Sequence, residues 1–183
     1  METPIYPSTG QLPRPHGFSI LELLVVLSII GISLSMALPG FEKLTTHVRA
    51  TTSLNNLRTS IKYAQSEALK RHNPVRLCPS DDGHNCDASG HWENGWIVYV
   101  DNSGKSVRSD ADPILKVFGP TKGVSIRKNG QYLTVTLNAS GQVSLNRSFN
   151  FCQLETRFPL YRLVLIHSGQ LRISAEDIHC PIN

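Results

Sequence analysis

The 183-residue sequence predicts an α+β fold, a long N-terminal helix followed by a run of mostly antiparallel strands. Three observations lead to it. An apolar run from Phe18 to Leu38 contains a single charge, Glu22. An amphipathic stretch follows, from Gly40 to His72, and Asn73-Pro74 closes it, because the residue before a proline is driven out of the helical region. Beyond Pro74 the period changes, and short β-branched and aromatic runs alternate with turns rich in Gly and Asn.

Taken in order, residues 1–17 hold four prolines, which rules out a regular helix or strand there. Phe18 to Leu38 is 21 residues long. At about 1.5 Å per residue it extends roughly 30 Å, the hydrocarbon thickness of a bilayer. A membrane-spanning helix is the expectation, and the run is too long for an ordinary secretory signal. Glu22 needs a reason, because a carboxylate within such a span costs several kcal/mol unless paired. Cleavage between Gly17 and Phe18 would create an α-amino group one helical turn from Glu22, and the amine and the carboxylate would then share the apolar layer.

The stretch 39–72 reads as a stalk helix, with Leu44, Val48, Leu54, Leu57, Ile61, Ala64 and Ala68 forming its apolar stripe. Lys62, Lys70 and Arg71 read as its solvated face. The remainder, 73–183, reads as one β-rich globular domain. Its expected strands are Val75–Cys78, Trp96–Asp101, Ile114–Phe118, Val124–Arg127, Tyr132–Asn138, Gln142–Leu145, Tyr161–His167 and Leu171–Ser174.

Two sets of residues carry a resemblance. Gly17-Phe18-Ser19-Ile20-Leu21-Glu22, the apolar helix behind it and Pro39 together resemble the type IV prepilin pattern. Pro74 to Asp101 reads PVRLCPSDDGHNCDASGHWENGWIVYVD, and its Cys-Pro, nearby second Cys and Trp-x-x-Gly-Trp-Ile-Val-Tyr-Val-Asp resemble the GspH/FimT branch of that family, which includes FimU-like minor pilins. The resemblance implies a pilin-like fold, with the long helix packed on β-sheets. It implies that residues 1–17 are a leader removed by a prepilin peptidase after Gly17, that the Phe18 amine is methylated, and that Pro39 bends the helix. Glu22 would recognise the Phe18 amine of an adjacent subunit. The implied partners are other major or minor pilins or pseudopilins, the prepilin peptidase, an inner-membrane assembly platform and membrane lipid. The implied place is the inner membrane, single-pass, with the globular domain in the periplasm and later in a pilus or a type II secretion pseudopilus. No cofactor is implied.

The four cysteines fit an exported chain with two disulfides. Cys78 and Cys86 enclose a short Asp-, Gly- and Asn-rich loop, and a bridge from Cys152 to Cys180 would tie the C-terminus to the sheet. Zinc held by Cys78, His84, Cys86 and His91 is the alternative, although the spacing matches no common zinc module. Asp81, Asp82, Asn85 and Asp87 lie in no twelve-residue calcium loop. Neither His167 with Ser168 nor Asp101 with a serine sits in a nucleophile-elbow or triad context, so no enzyme is expected.

Charge is segregated along the chain. Residues 40–72 carry six Lys/Arg against two Glu, 73–104 one Arg against five acids, and 105–183 ten Lys/Arg against five acids. The last segment supports an alternative function, a DNA receptor in natural transformation, contacting phosphate through some of Arg127, Lys128, Arg147, Arg157, Arg162 and Arg172. Some FimT-like pilins carry a C-terminal Gly-Arg-x-Arg motif for this purpose. Here the corresponding residues are Gly169-Gln170-Leu171-Arg172, so the glycine and the final arginine match and the first arginine is Gln170.

Overall fold

The computed structural model describes residues 18–105, 107–129, 133–156, 158–176 and 178–180, and for residues 36–43 it describes the backbone alone. One helix, α1, runs from Ile20 to Arg71. It therefore joins the expected span and the expected stalk without a break in helical backbone at Pro39. The bend expected at Pro39 falls where side chains lie outside the described residues. The chain divides into two compact units, Met1–Phe41 and Glu42–Asn183.

In the first unit the described part of α1 is apolar on all sides, and all its side chains from Phe18 to Ser35 are exposed. Among the described residues no helix is long and apolar enough to cross a membrane, since the described side chains of the apolar run stop at Ser35.

The second unit is built on the remainder of α1 and two four-stranded sheets. The first sheet has the order β3-β2-β1-β5, where β1 is Val75–Pro79, β2 Trp96–Val100, β3 Ile114–Phe118 and β5 Val135–Leu137. The second has the order β4-β6-β7-β8, where β4 is Val124–Lys128, β6 Arg147–Gln153, β7 Pro159–Leu165 and β8 Leu171–Ser174. All the strand pairings are antiparallel. A short 3₁₀ turn, Trp92–Asn94, precedes β2.

The helix contributes Ala50, Leu54, Leu57, Ile61, Ala64 and Ala68 to the core, against Leu77, Trp96 and Val98 of the first sheet and Ile126, Phe149, Phe151, Leu163 and Leu165 of the second. These helical positions recur in alternating steps of four and three, the spacing that keeps one face inward. Leu44 and Val48 were expected on that stripe, but they are 61% and 57% exposed. The step of six from Val48 to Leu54 already breaks the phase, and Ala50 takes the inward position. The apposition of helix and sheet is fixed by a buried hydrogen bond in which Trp96 Nε1 donates to Ser60 Oγ at 3.0 Å. The Trp96 ring stacks on Phe118, with centroids 5.2 Å apart. Gly95 must be glycine, because its φ is 120° and a β-carbon would stand 2.6 Å from the Phe118 carbonyl oxygen.

Apart from shifted strand ends, such as Pro159–Leu165 for the expected Tyr161–His167 and Val135–Leu137 for the expected Tyr132–Asn138, the strand pattern differs from expectation in two whole elements. Gln142–Leu145 contributes one isolated bridge, Leu137 to Val143, and no strand. The longest stretch missed by the sequence reading is β6, which pairs with both β4 and β7. Its Phe149 and Phe151 point to the core, while Ser148, Asn150 and Cys152 alternate with them and are buried as well.

Candidate functional site

The start of α1 is shaped by the residues of the expected processing motif. Ser19-Ile20-Leu21-Glu22 has the Ser-x-x-Glu pattern of a capping box, and Ser19 Oγ accepts the Leu21 N–H at 3.3 Å. Glu22 lies in the first turn, where a negative charge suits the helix dipole. Phe18 is 82% exposed, and Glu22 is exposed four residues further on. Gly17, the residue before the expected cut, lies outside the described residues.

The four cysteines are joined as Cys78–Cys86 and Cys152–Cys180, with Cα atoms 5.5 Å and 6.0 Å apart. Sulfurs in disulfides are not zinc thiolates, so the Cys78, His84, Cys86 and His91 alternative is set aside. Within the first loop Asp82 organises the backbone. Its Oδ1 accepts the N–H groups of His84 and Asn85, both at 2.7 Å, and these bonds hold its carboxyl well below the usual carboxylate range. The acidic residues here thus close a turn, as Asx residues do. Beneath the loop Tyr99 packs with Cys78, Ile97 and Cys86, and burial pushes its hydroxyl up to about 12. At the second bridge, Asn150 Nδ2 donates to the His179 carbonyl at 2.8 Å. The C-terminal segment is thereby held against β6 at Asn150 and Cys152.

Arg76 donates from Nε to Asp101 Oδ2 at 2.7 Å, which gives Asp101 a structural partner. Asp112 is buried, and burial pushes its carboxyl up. Hydrogen bonds from Ser109 and Ser103 outweigh that and hold it well below the usual range. These bonds fasten the loop between β2 and β3.

The fold gives the described members of the cation group different surroundings, and Arg157 lies outside the described residues. Arg127 is paired with the buried Glu93, whose other oxygen accepts the Ile126 N–H at 3.1 Å, so this guanidinium ties the 3₁₀ turn to β4. Lys128 is half-buried, and burial, assisted by Arg147, brings its amine down to about 8. Arg162 is half-buried in β7, with Nη2 3.5 Å from Ser148 Oγ. Arg172 is exposed on β8 and lines a cleft of about 490 Å³ with Arg58, Lys62, Gln65 and residues 168–171. Arg58 in this cleft was not singled out in the sequence, and Lys62 was read as a solvated face; their spacing of four with a shared helix flank was the available signal. Gly169 has a local reason to be glycine. Its φ is +81°, and a β-carbon would collide with the Gln65 amide and stand 2.8 Å from the Gly141 carbonyl oxygen. The tight approach of the β7–β8 turn to α1 accounts for it.

A helix packed on two antiparallel sheets, with two disulfides and the capped apolar N-terminal helix, defines the pilin-like α+β class. A sequence model of the family described as "Type II transport protein GspH" matches residues 53–169, and the prokaryotic N-terminal methylation motif matches residues 12–38. The chain belongs to the GspH family, which comprises minor pilins and pseudopilins. Comparison with curated proteins finds no match. Among solved structures, the type IV minor pilin FimU of Pseudomonas aeruginosa is similar in two crystal forms. In one the TM-score is 0.54 at 19% identity, covering 68% of this chain and 87% of that one. In the other it is 0.53 at 20%, covering 68% and 91%. The minor pseudopilin EpsH of the Vibrio cholerae type 2 secretion system matches at 0.49 and 13%, covering 70% and 98%. At these identities the likeness is one of fold. The comparisons give DNA binding no support, and the pairing of Arg127 with Glu93 removes one of the cations on which that reading drew.

Proposed function

We propose that the chain is a membrane-anchored minor subunit that enters a type IV pilus or a type II secretion pseudopilus, priming assembly or standing near the tip. What carries the reading is one combination, a methylation motif over residues 12–38 followed in the same chain by a GspH domain over 53–169. In this reading a prepilin peptidase removes residues 1–17, the Phe18 amine is methylated, and the segment 18–38 sits in the inner membrane with the globular unit in the periplasm. The partners are other pilins or pseudopilins and the assembly platform. Its role is structural, with no catalytic step. Glu22 supplies the recognition charge. In hydrocarbon its carboxylate is costly alone, and the α-amine of a neighbour's Phe18 offsets that cost.

Intact-mass analysis of protein extracted from membranes should find a chain that begins at Phe18 and carries one added methyl group. A native start elsewhere overturns the processing. Glu22→Val should still be inserted and cleaved, yet its filament-bound fraction should fall by about tenfold or more, since losing one such pair costs at least about 1.4 kcal/mol. Assembly equal to that of the unaltered chain would show that charge pairing is not the mechanism.

A further inference from the structure

The β7–β8 hairpin lies along one flank of α1, and two contacts align them. Thr51 Oγ1 donates to the Tyr161 hydroxyl at 3.4 Å at one end, and the Gln65 amide crowds Gly169 at the other. Arg58, Lys62 and Gln65 follow one another on that flank at steps of four and three, and with residues 168–172 they line the cleft of about 490 Å³. Three cations and no acid line it. Among the described residues, Arg58, Lys62 and Arg172 have no ion pair.

β8 ends its sheet, so one of its edges carries no strand among the described residues. Which backbone groups face that edge follows from the hairpin. The Ile166 N–H donates to the Gln170 carbonyl at 3.1 Å, and the Gly169 N–H to the Ile166 carbonyl at 2.8 Å. The register then pairs Leu165 with Leu171, Val164 with Arg172 and Leu163 with Ile173. Bonded and non-bonded pairs alternate in an antiparallel ladder. Arg172 is therefore bonded to β7, while the N–H and C=O groups of Leu171 and Ile173 point outward. Leu171 packs toward the core, so Arg172 stands on the opposite face of the strand. Cations thus flank the open edge from both sides, Arg58 and Lys62 from α1 and Arg172 from β8 itself.

The other edge strands are differently placed. β4 meets the 3₁₀ turn, where Glu93 accepts the Ile126 N–H and His91 bridges to Arg127. β5 is met by Val143, which bridges to Leu137. On β3, Lys116 lies over the rings of Tyr63 and Phe118.

We propose that β8 is an acceptor edge, to which an extended acidic segment of a neighbouring subunit adds as a further strand, its carboxylates meeting Arg58, Lys62 and Arg172. Main-chain bonds to Leu171 and Ile173 supply affinity, and the cations select the sequence. They also repel a second copy of the same edge, which guards it against indiscriminate pairing. That the donor is a neighbouring subunit rests on the reading given under Proposed function; that it is extended and acidic rests on the edge and the cleft.

The test uses the full chain, extracted from membranes into nonionic detergent. It is titrated against a fluorescent peptide of about seven residues that alternates aspartate with valine, long enough to span β8. Anisotropy should report binding. The same peptide N-methylated along its backbone keeps the charge and loses the donors, so it should bind about tenfold more weakly or worse. Arg58→Gln combined with Lys62→Gln should weaken binding about fivefold or more, and added salt should weaken it likewise. Ile173→Pro removes an outward N–H and no bond to β7, so it should weaken binding about threefold or more with the thermal transition still in place. Equal binding of the N-methylated peptide would make the cleft a simple charge trap and overturn strand addition. Tighter binding of a DNA duplex of equal charge would assign the cleft to phosphate and overturn it too. The N-terminal mass of the same preparation keeps the two readings apart. A start at Phe18 without peptide binding denies the acceptor edge and leaves the subunit reading standing. Peptide binding by a chain that starts elsewhere upholds the acceptor edge and denies that the donor is a filament neighbour.

Discussion

From Phe18 to Ser35 every described side chain of the N-terminal segment is exposed, Leu, Ile and Val included, whereas from Ala50 to Ala68 the same helix buries a residue every third or fourth position. One backbone geometry serves two physical regimes. The second stretch is amphipathic, and its helicity is sustained by the face it packs against both sheets. The first is hydrophobic all round, and among the described residues nothing in its own unit takes up its surface. Its stability has to come from a surrounding phase or a neighbouring chain. The difference teaches that sequence apolarity alone does not report a core; periodicity does.

The sharpest way to break the comparison is to place the same charge in each stretch. Leu57→Asp buries an unpaired carboxylate in the core and should cost about 5 kcal/mol or more, comparable to the whole stability of a small domain, so that the cooperative thermal transition is lost. Leu27→Asp should leave that transition in place and instead reduce membrane insertion, at a cost of about 3 kcal/mol near the centre of a span. Calorimetry and membrane fractionation of the two variants separate the outcomes. An unchanged transition in Leu57→Asp would deny the core role of the stripe.

The globular unit is also cross-tied covalently, which the described part of the first unit is not. The Cys152–Cys180 bridge spans 28 residues and Cys78–Cys86 spans 8. By the loop-closure relation, replacing the first pair with serine should cost about 3.5 kcal/mol and the second about 2.5 kcal/mol. Denaturant unfolding of the two double variants tests the order, and the reverse order would mean that the C-terminal segment contributes little.

A smaller effect probes the contact between helix and sheet itself. Ser60→Ala leaves Trp96 Nε1 buried without its acceptor and should cost about 1–3 kcal/mol, whereas Ser33→Ala in the exposed stretch should change the unfolding free energy by less than about 0.5 kcal/mol. The smallest effect is one of pH. The Lys128 amine titrates at about 8 in the fold against an ordinary 10.5. Its charged form therefore weighs against folding below pH 8, and that penalty is relieved as pH rises from 8 toward 10.5. Stability should gain about 1 kcal/mol across this window, after allowing for the amine's partial contact with solvent. Lys128→Met should flatten the rise and stabilise the protein at pH 7, as read from denaturant midpoints at several pH values.

The sequence by itself determined the α+β class, the single-charge apolar run and the limits of Ile114–Phe118 and Leu171–Ser174, and it suggested, among three possible connectivities, the disulfide pairing that the structure adopts. All of these are local quantities: a hydrophobic period, a proline, a turn, a short loop between two cysteines. Tertiary structure alone decided the rest. The central strand β6 escaped notice because its polar positions, Ser148 and Asn150, are buried, and Asn150 is met there by a C-terminal segment held nearby through Cys152–Cys180. Arg127 looked like a surface cation until the fold set Glu93 beside it, and Gly169 looked like part of a motif until Gln65 and Gly141 were seen to crowd it. Leu44 and Val48 looked like core until the phase of the helix turned them outward. In each case the outcome depends on which distant groups share a small volume, and that is set by how the helix and two sheets close around one core rather than by any window of sequence.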